Sequence, residues 1–308
     1  MPKATRAAFG EAIFELGEKY PNIVVIDADL SASTMTKKFS EKFPNRHFNV
    51  GIAECNMIGM GAGLALAGKI PFICSFACFV VDRFEQVRMS ISYNEAPVRV
   101  VGTHVGIGIG EDGYSQMGLE DIALVRSLPN IAIIQPADDI ETKQAVAFLL
   151  NYPHPAYLRL TRQPLDDING PDYQFQFGKG VVHQEGRDVA LLATGGVVGN
   201  MIKAAKELLQ EGIKATVINI HTIKPLDEEL ILDAAATCQR VVTVEDHSVN
   251  GGLGGAVAEL LSEKRPTRLK RIGMRTFGES GTPAALYEKY GFSTAGIKKS
   301  IVEFLGTS

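Results

Sequence analysis

Four short runs in the first half of the chain are apolar at nearly every position rather than at every second one: Ile23-Val24-Val25-Ile26, Pro71-Phe72-Ile73-Cys74, Val98-Arg99-Val100-Val101 and Ile131-Ala132-Ile133-Ile134. A strand with one face in water alternates, whereas a strand apolar throughout is covered on both faces, as in a parallel sheet sandwiched between helices. The segments between the runs carry helical spacing. The same alternation returns in Val189-Ala190-Leu191-Leu192, Ala215-Thr216-Val217-Ile218, Arg240-Val241-Val242-Thr243-Val244 and a run from Leu269 to Ile272. From Gln163 to Gly186 the pattern is lost, and Pro164, Asp166, Asp167, Gly170 and Pro171 give that stretch the composition of a connection. The expectation is an α/β protein of two open sheet domains, residues 1–165 and a smaller 186–308, joined by a linker over 166–185. A chain of 308 residues is long enough to bury both cores.

Composition narrows the function. With 45% hydrophobic and 21% charged residues and a net charge of -4, the chain reads as a soluble enzyme and gives no sign of binding nucleic acid. Its one basic run, Lys264, Arg265, Arg268, Lys270 and Arg271, falls where a helix gives way to a strand and reads as a solvated connection. The four cysteines, Cys55, Cys74, Cys78 and Cys238, lack zinc-ligand spacing, and three lie in apolar stretches, which fits a reducing cytoplasm. At the N-terminus Phe9, Ile13, Phe14 and Leu16 follow helical spacing with Glu11 and Glu15 between them, so no secretion signal is expected. The most apolar stretch, Met57 to Val81, is interrupted by Lys69 and Pro71 and reads as a buried helix followed by a buried strand, not a membrane span. Its helical part, Gly59 to Gly68, is rich in small residues that cost helix propensity. They are tolerated where backbones approach closely, so this helix is expected to pack tightly across a subunit interface.

In open α/β sheets ligands bind beyond the carboxyl ends of the strands. Polar clusters fall there: Asp27-Ala28-Asp29-Leu30-Ser31, His104, Gln135-Pro136-Ala137-Asp138 and Glu245-Asp246-His247. A further element is Gly51-Ile52-Ala53-Glu54-Cys55-Asn56-Met57, with one carboxylate at the start of an apolar helix. The macrodipole alone favours an acid there. Among apolar neighbours the same acid could instead hydrogen-bond a ligand nitrogen.

This segment resembles the Ile-Ala-Glu-Gln-Asn-Met signature of transketolases, and the likeness extends along nearly the whole chain. It includes Ala4-Thr5-Arg6-Ala7, Ser33, Ser75-Phe76-Ala77-Cys78-Phe79, His104, Gly110-Glu111-Asp112-Gly113, Gln116 and Thr161-Arg162-Gln163, then Thr222-Ile223-Lys224-Pro225 and Val244-Glu245-Asp246-His247. The resemblance implies a pyrimidine-binding domain followed by a transketolase C-terminal domain, and thiamine diphosphate as cofactor. Glu54 would hydrogen-bond the aminopyrimidine ring and take part in catalysis, Phe79 would stack on that ring, and Phe76, Gln116 and Ile52 would complete the cofactor pocket. Arg6, Ser33, His104, Asp112 and Arg162 would contact a sugar phosphate, with His104 also catalytic and Arg162 offering a bidentate grip. Taken singly, Phe79 would pass for core, His104 for a loop residue and Arg162 for a surface ion pair. His221, Lys224 and His247 are read as structural. Cys55 in place of Gln, and Val80-Val81-Asp82 in place of a more aromatic segment, leave the outer wall of the pocket open.

The family holds the diphosphate through a divalent cation, usually with a Gly-Asp-Gly segment and a distal Asn. No such segment occurs, and no metal ligands are expected in this chain. With Arg6 so near the start, the Mg2+ ligands are expected from an N-terminal transketolase subunit, in a dimer of heterodimers. Deoxyxylulose-phosphate synthase and the β subunits of 2-oxo-acid dehydrogenases share Glu54 but fit the sugar-phosphate set less well. A non-catalytic interaction subunit is a further alternative. So is nucleotide binding at Thr194-Gly195-Gly196 or Gly251-Gly252-Leu253-Gly254-Gly255, although no acid suited to a ribose follows the first of these turns.

Overall fold

The computed structural model describes residues 2–306. Six strands, β1 (Ile23–Asp27), β2 (His47–Asn49), β3 (Ile70–Phe76), β4 (Arg99–Thr103), β5 (Ala132–Ile134) and β6 (Ala156–Arg159), form one parallel sheet. The second sheet contains β7 (Val181–Gln184), β8 (Val189–Ala193), β9 (Ala215–Asn219), β11 (Arg240–Ser248) and β12 (Arg268–Met274), in the order β12-β11-β8-β9-β7. Between β9 and β11 the chain crosses over, and β10 (Thr222–Lys224) pairs antiparallel with β5 as the edge of the first sheet, whose order is β10-β5-β6-β4-β3-β1-β2. The C-terminal part of the chain thus completes the N-terminal sheet.

All eight apolar runs lie in or overlap strands, and β1, β4 and β8 are buried at every position, as parallel strands covered on both faces must be. Sequence reading missed β2, β6, β7 and β10. Their physical character explains why: β2 and β10 have three residues each, β6 contains Arg159, and β7 is a half-exposed antiparallel edge lying within the stretch read as a linker. Glu245, Asp246 and His247 do not follow a strand but form the buried end of β11.

The helix Glu54–Leu66, expected to be buried, is covered on one side only. Met57, Ile58, Gly61, Ala62 and Ala65 pack inward, while Ile52, Cys55, Asn56, Gly59, Gly63 and Leu66 face outward. A Cβ built on Gly59 or Gly63 meets nothing within 4 Å. That face continues onto the π-helical segment Val87–Tyr93, where Met89 and Tyr93 are exposed. Among the described residues no helix is long and apolar enough to cross a membrane.

The two sheets share a core. Ile107, Ile109, Met117 and Leu119, from the segment after β4, pack with Val189, Leu191, Val242 and Val244 of the second sheet. Polar groups are buried at the same junction. Glu141 accepts hydrogen bonds from Ala137 N (2.7 Å), Tyr173 Oη (2.7 Å) and Asn219 Nδ2 (3.0 Å), joining a first-domain helix, the connection and β9. Glu245 accepts from Leu253 N (2.7 Å) and Gly254 N (2.8 Å), so its own carboxylate fills the anion site at the start of the helix Leu253–Lys264. The Gly251-Gly252 turn is therefore closed to a nucleotide phosphate: a Cβ on Gly252 would already lie 2.0 Å from Glu245 Oε2.

Burial pushes both carboxyls up to about 7 from the ordinary 4.5. The folded state thus favours their protonated form, and the stability this brings is complete below about pH 4.5 and lost as pH rises through about 7. Glu141→Gln is expected to flatten the fall in unfolding free energy across that window, measured by urea titrations at several pH values. An unchanged slope would show that Glu141 is not a source of it.

Candidate active site

The carboxyl ends of β1, β3 and β4 bring together residues far apart in sequence. Arg6 stands in the first turn of the helix Thr5–Lys19, which is anchored beside Thr161 by Thr161 N donating to Thr5 Oγ1 (2.8 Å) and Arg6 N to Thr161 O (3.3 Å). The Arg6 guanidinium donates through Nη1 to Ser33 O (2.7 Å) and to His104 Nε2 (3.0 Å). The contact to Ser33 uses its backbone carbonyl. The loop that carries Ser33 is folded around buried Asp27, whose carboxylate accepts from Thr34 Oγ1 (2.7 Å) and Thr36 Oγ1 (2.5 Å) and lies 3.0 Å from His47 Nε2. Asp27 is thus committed to the loop and is not a ligand group.

His104 is nearly sealed from solvent, at 2% exposure, and has a left-handed backbone with φ 59°. That conformation is strained for a residue with a side chain, and it persists because the surroundings hold it. The His104 ring stacks on Phe76 at 3.6 Å between centroids, and Phe76 stacks in turn on Phe79 at 5.3 Å. The hydrogen bonds select the tautomer. Thr103 Oγ1 donates to Ser75 O (3.3 Å), so it accepts from His104 Nδ1 (2.8 Å), and Nε2 is left as the acceptor facing Arg6. Burial, reinforced by the charges of Arg6 and Arg162, lowers the His104 pKa to about 3. At neutral pH this side chain is an uncharged imidazole offering a lone pair, and it is not poised to shuttle protons.

Arg162 is the second guanidinium of the group. Its Nη1 donates to Ile109 O (2.7 Å) and lies 3.3 Å from Asp112 Oδ2. Burial and the repulsion of Arg162 both lower the pKa of Arg6. Arg6 thus grips a neutral histidine, while Arg162, paired with half-exposed Asp112, lies near enough for its charge to lower the pKa of both. Two positive charges in one region make its potential favourable to an anion.

Glu54 occupies the first turn of its helix and is 7% exposed, yet nothing among the described residues hydrogen-bonds its carboxylate. The side chain is largely covered while its carboxylate oxygens stay open to solvent, which leaves them free to meet a partner from outside. Gln116 sits half-buried in a short 3-10 turn without a side-chain hydrogen bond, and Ile52 is 83% exposed. Arg6, Ser33, Phe76, Phe79 and His104 form one contacting group and Arg162 with Asp112 another, while Glu54, Gln116 and Ile52 make no side-chain hydrogen bond or ring contact with either. His221 and His247 are buried, and Lys224 is half-buried with Nζ donating to backbone carbonyls, all three as structural residues should be. The reading from sequence placed Asp27 among the strand-end polar clusters without its loop-holding role, and it missed Thr103. Thr103 directly precedes the histidine it orients, which is the signal that could have found it. Among the described residues no cluster suited to a metal ion occurs.

Comparison with known proteins gives this geometry a context. Residues 1–167 match the family model described as Transketolase, pyrimidine binding domain, and residues 178–297 that described as Transketolase, C-terminal domain. The chain is 44% identical over 306 residues to a protein of Methanocaldococcus jannaschii described as a transketolase C-terminal section, covering 98% of this chain and 96% of that one. It is 41% identical over 300 residues to the 6-deoxy-6-sulfo-D-fructose transketolase subunit SqwH of Clostridium sp., covering 97% and 93%. A solved structure of a split gene transketolase, described as an inactive beta4 tetramer, superposes with a TM-score of 0.91 at 43% identity over 98% of both chains. The chain belongs to the transketolase family and spans its C-terminal section, a pyrimidine-binding domain followed by the C-terminal domain.

Proposed function

We propose that this chain is the C-terminal subunit of a split transketolase that moves a two-carbon ketol unit from a ketose phosphate to an aldose phosphate. The observation that carries the substrate class is Arg6 held on neutral His104 at 3.0 Å, with the charge of Arg162 near enough to be felt by both. Two guanidinium groups held in mutual repulsion gain most when a dianionic phosphate enters between them.

The residues present fit thiamine diphosphate: the unpartnered Glu54 carboxylate suits a pyrimidine nitrogen, and the stacked Phe76 and Phe79 offer an aromatic wall. When bound, this cofactor supplies the carbanion chemistry that breaks and makes the carbon–carbon bond. Gln116 and Ile52 lie at the edge of that site. Exposed Ile52 finds a place once a second subunit covers the face of Glu54–Leu66, where Gly59 and Gly63 leave room for a close backbone. The Mg2+ and diphosphate ligands belong to an N-terminal subunit, and the assembly is a dimer of heterodimers in the cytoplasm. On the substrate side, Ser33 and Asp112 read hydroxyl groups, and His104 Nε2 exchanges its bond from Arg6 for one from a substrate hydroxyl, freeing Arg6 for the phosphate. A contact of that kind discriminates strongly, because a substrate lacking the hydroxyl strands a buried polar group.

Arg162→Ala is expected to raise KM for phosphorylated acceptors by roughly ten- to a hundredfold, the scale of a lost charged hydrogen-bond pair. KM for unphosphorylated acceptors such as glycolaldehyde should change little. Steady-state kinetics of the reconstituted enzyme checks this, and an equal effect on both acceptor types would count against a phosphate role.

A further inference from the structure

We infer that the C-terminal domain positions Arg162, through a closed relay in which Asp246 and Tyr287 clamp the segment after β4. The inference rests on the phosphate role given to Arg162 above.

The relay can be followed atom by atom. Asp246, at the buried end of β11, accepts from Ile107 N (2.8 Å) through Oδ1 and from Gly108 N (3.3 Å) through Oδ2. Two residues on, Ile109 O accepts from Arg162 Nη1 (2.7 Å), so the same clamped turn supplies the guanidinium's backbone anchor. The neighbouring side chain, Gln163, donates through Nε2 to Tyr287 Oη (2.7 Å), and Tyr287 Oη donates to Asp246 Oδ2 (2.8 Å). The path returns to its starting carboxylate. Arg162 is therefore fixed on two sides, by the carbonyl it grips and by the residue next to it, and both fixings lead to Asp246.

Steric fit shows how closely these parts meet. A Cβ on Gly106 would lie 2.1 Å from Asp246 Oδ2, and one on Gly108 would lie 2.1 Å from Gln163 Nε2. Gly106 also has φ 73°, where a side chain would be strained. The helix Pro283–Tyr290, which carries Tyr287, also places Pro283 against Gly110. Behind the relay, Arg159 Nη2 donates to Asp246 O (3.1 Å), tying β11 to the end of β6. None of these C-terminal residues contacts Arg162 directly, so Asp246 and Tyr287 are positioning residues.

The test uses the enzyme reconstituted with its N-terminal subunit and three variants: Tyr287→Phe, Asp246→Asn and Arg162→Ala. Tyr287→Phe removes one hydroxyl and keeps the ring that packs against Phe292. It should raise KM for an aldose phosphate roughly fivefold, the scale of one neutral hydrogen bond, with kcat, KM for glycolaldehyde and Tm close to wild type. Asp246→Asn keeps an acceptor for Ile107 N through Oδ1 but sets an NH2 against Gly108 N, so it should lose phosphate selectivity at least as far as Tyr287→Phe does. If Tyr287→Phe alters both acceptors equally, or neither, while Arg162→Ala remains phosphate-selective, the relay is overturned and the phosphate role stands. Should Arg162→Ala itself show no selectivity, the phosphate role fails, and the relay's purpose fails with it.

Discussion

Glu54→Ala is expected to lower turnover of the reconstituted enzyme by at least about a hundredfold, the usual scale for a group in the proton relay of a reaction. The argument begins with an unsatisfied acid. Glu54 is 7% exposed at the start of an apolar helix, and no described residue hydrogen-bonds its carboxylate. Folding gains little from such a group, since its carboxylate makes no hydrogen bond within the described residues. Removing it should leave the thermal stability of the chain unchanged or slightly raised while activity collapses. That combination separates a functional acid from a structural one. Glu54→Gln keeps the shape and one acceptor but not the acid, so it should still bind thiamine diphosphate by calorimetry while turning over slowly. Wild-type turnover in Glu54→Ala would remove this residue from the mechanism.

Arg159→Met should have the largest effect on folding, a loss of about 3–5 kcal/mol. Arg159 is fully buried and donates to Asp121 through Nε (2.7 Å) and Nη2 (3.1 Å), and through Nη2 also to Gly118 O (2.8 Å). Tyr157 Oη adds a bond to the same carboxylate at 2.6 Å. Burial pushes the Asp121 carboxyl up, but the charge and hydrogen bonds of Arg159 outweigh it and leave the group below its usual range. Without Arg159 that compensation vanishes and a buried carboxylate is stranded. Calorimetry should record a fall in Tm of roughly 10 °C. Combining Arg159→Met with Asp121→Leu should recover part of the loss, because apolar pairs often replace buried ion pairs at little cost. A single variant as stable as wild type would mean that water or rearrangement rescues the acid.

How much of this was legible beforehand depended on the range of the interaction. Strands apolar at every position announced themselves, because burial on both faces leaves no other pattern. Arg159 defeated the same rule: a buried guanidinium in β6 looks like a surface residue until Asp121 is placed beside it. β10 was missed because its partner, β5, lies some ninety residues away in sequence. The candidate site was legible as a set of residues through the transketolase resemblance, yet the tautomer of His104 and the mutual repulsion of the arginines follow only from three-dimensional neighbours. Glycine-rich turns misled in the opposite direction. Gly251-Gly252 resembled a phosphate loop, and only the fold revealed that Glu245 already occupies its amides.

Reconstitution tests the central claim most directly. Transketolase activity with a ketose phosphate donor, an aldose phosphate acceptor, thiamine diphosphate and magnesium would be measured for this chain alone and after co-expression with an N-terminal transketolase subunit. Activity confined to the mixture, with a complex containing both chains by size-exclusion chromatography, is the predicted result. Full activity of the chain alone, or a stable complex without two-carbon transfer, would contradict it.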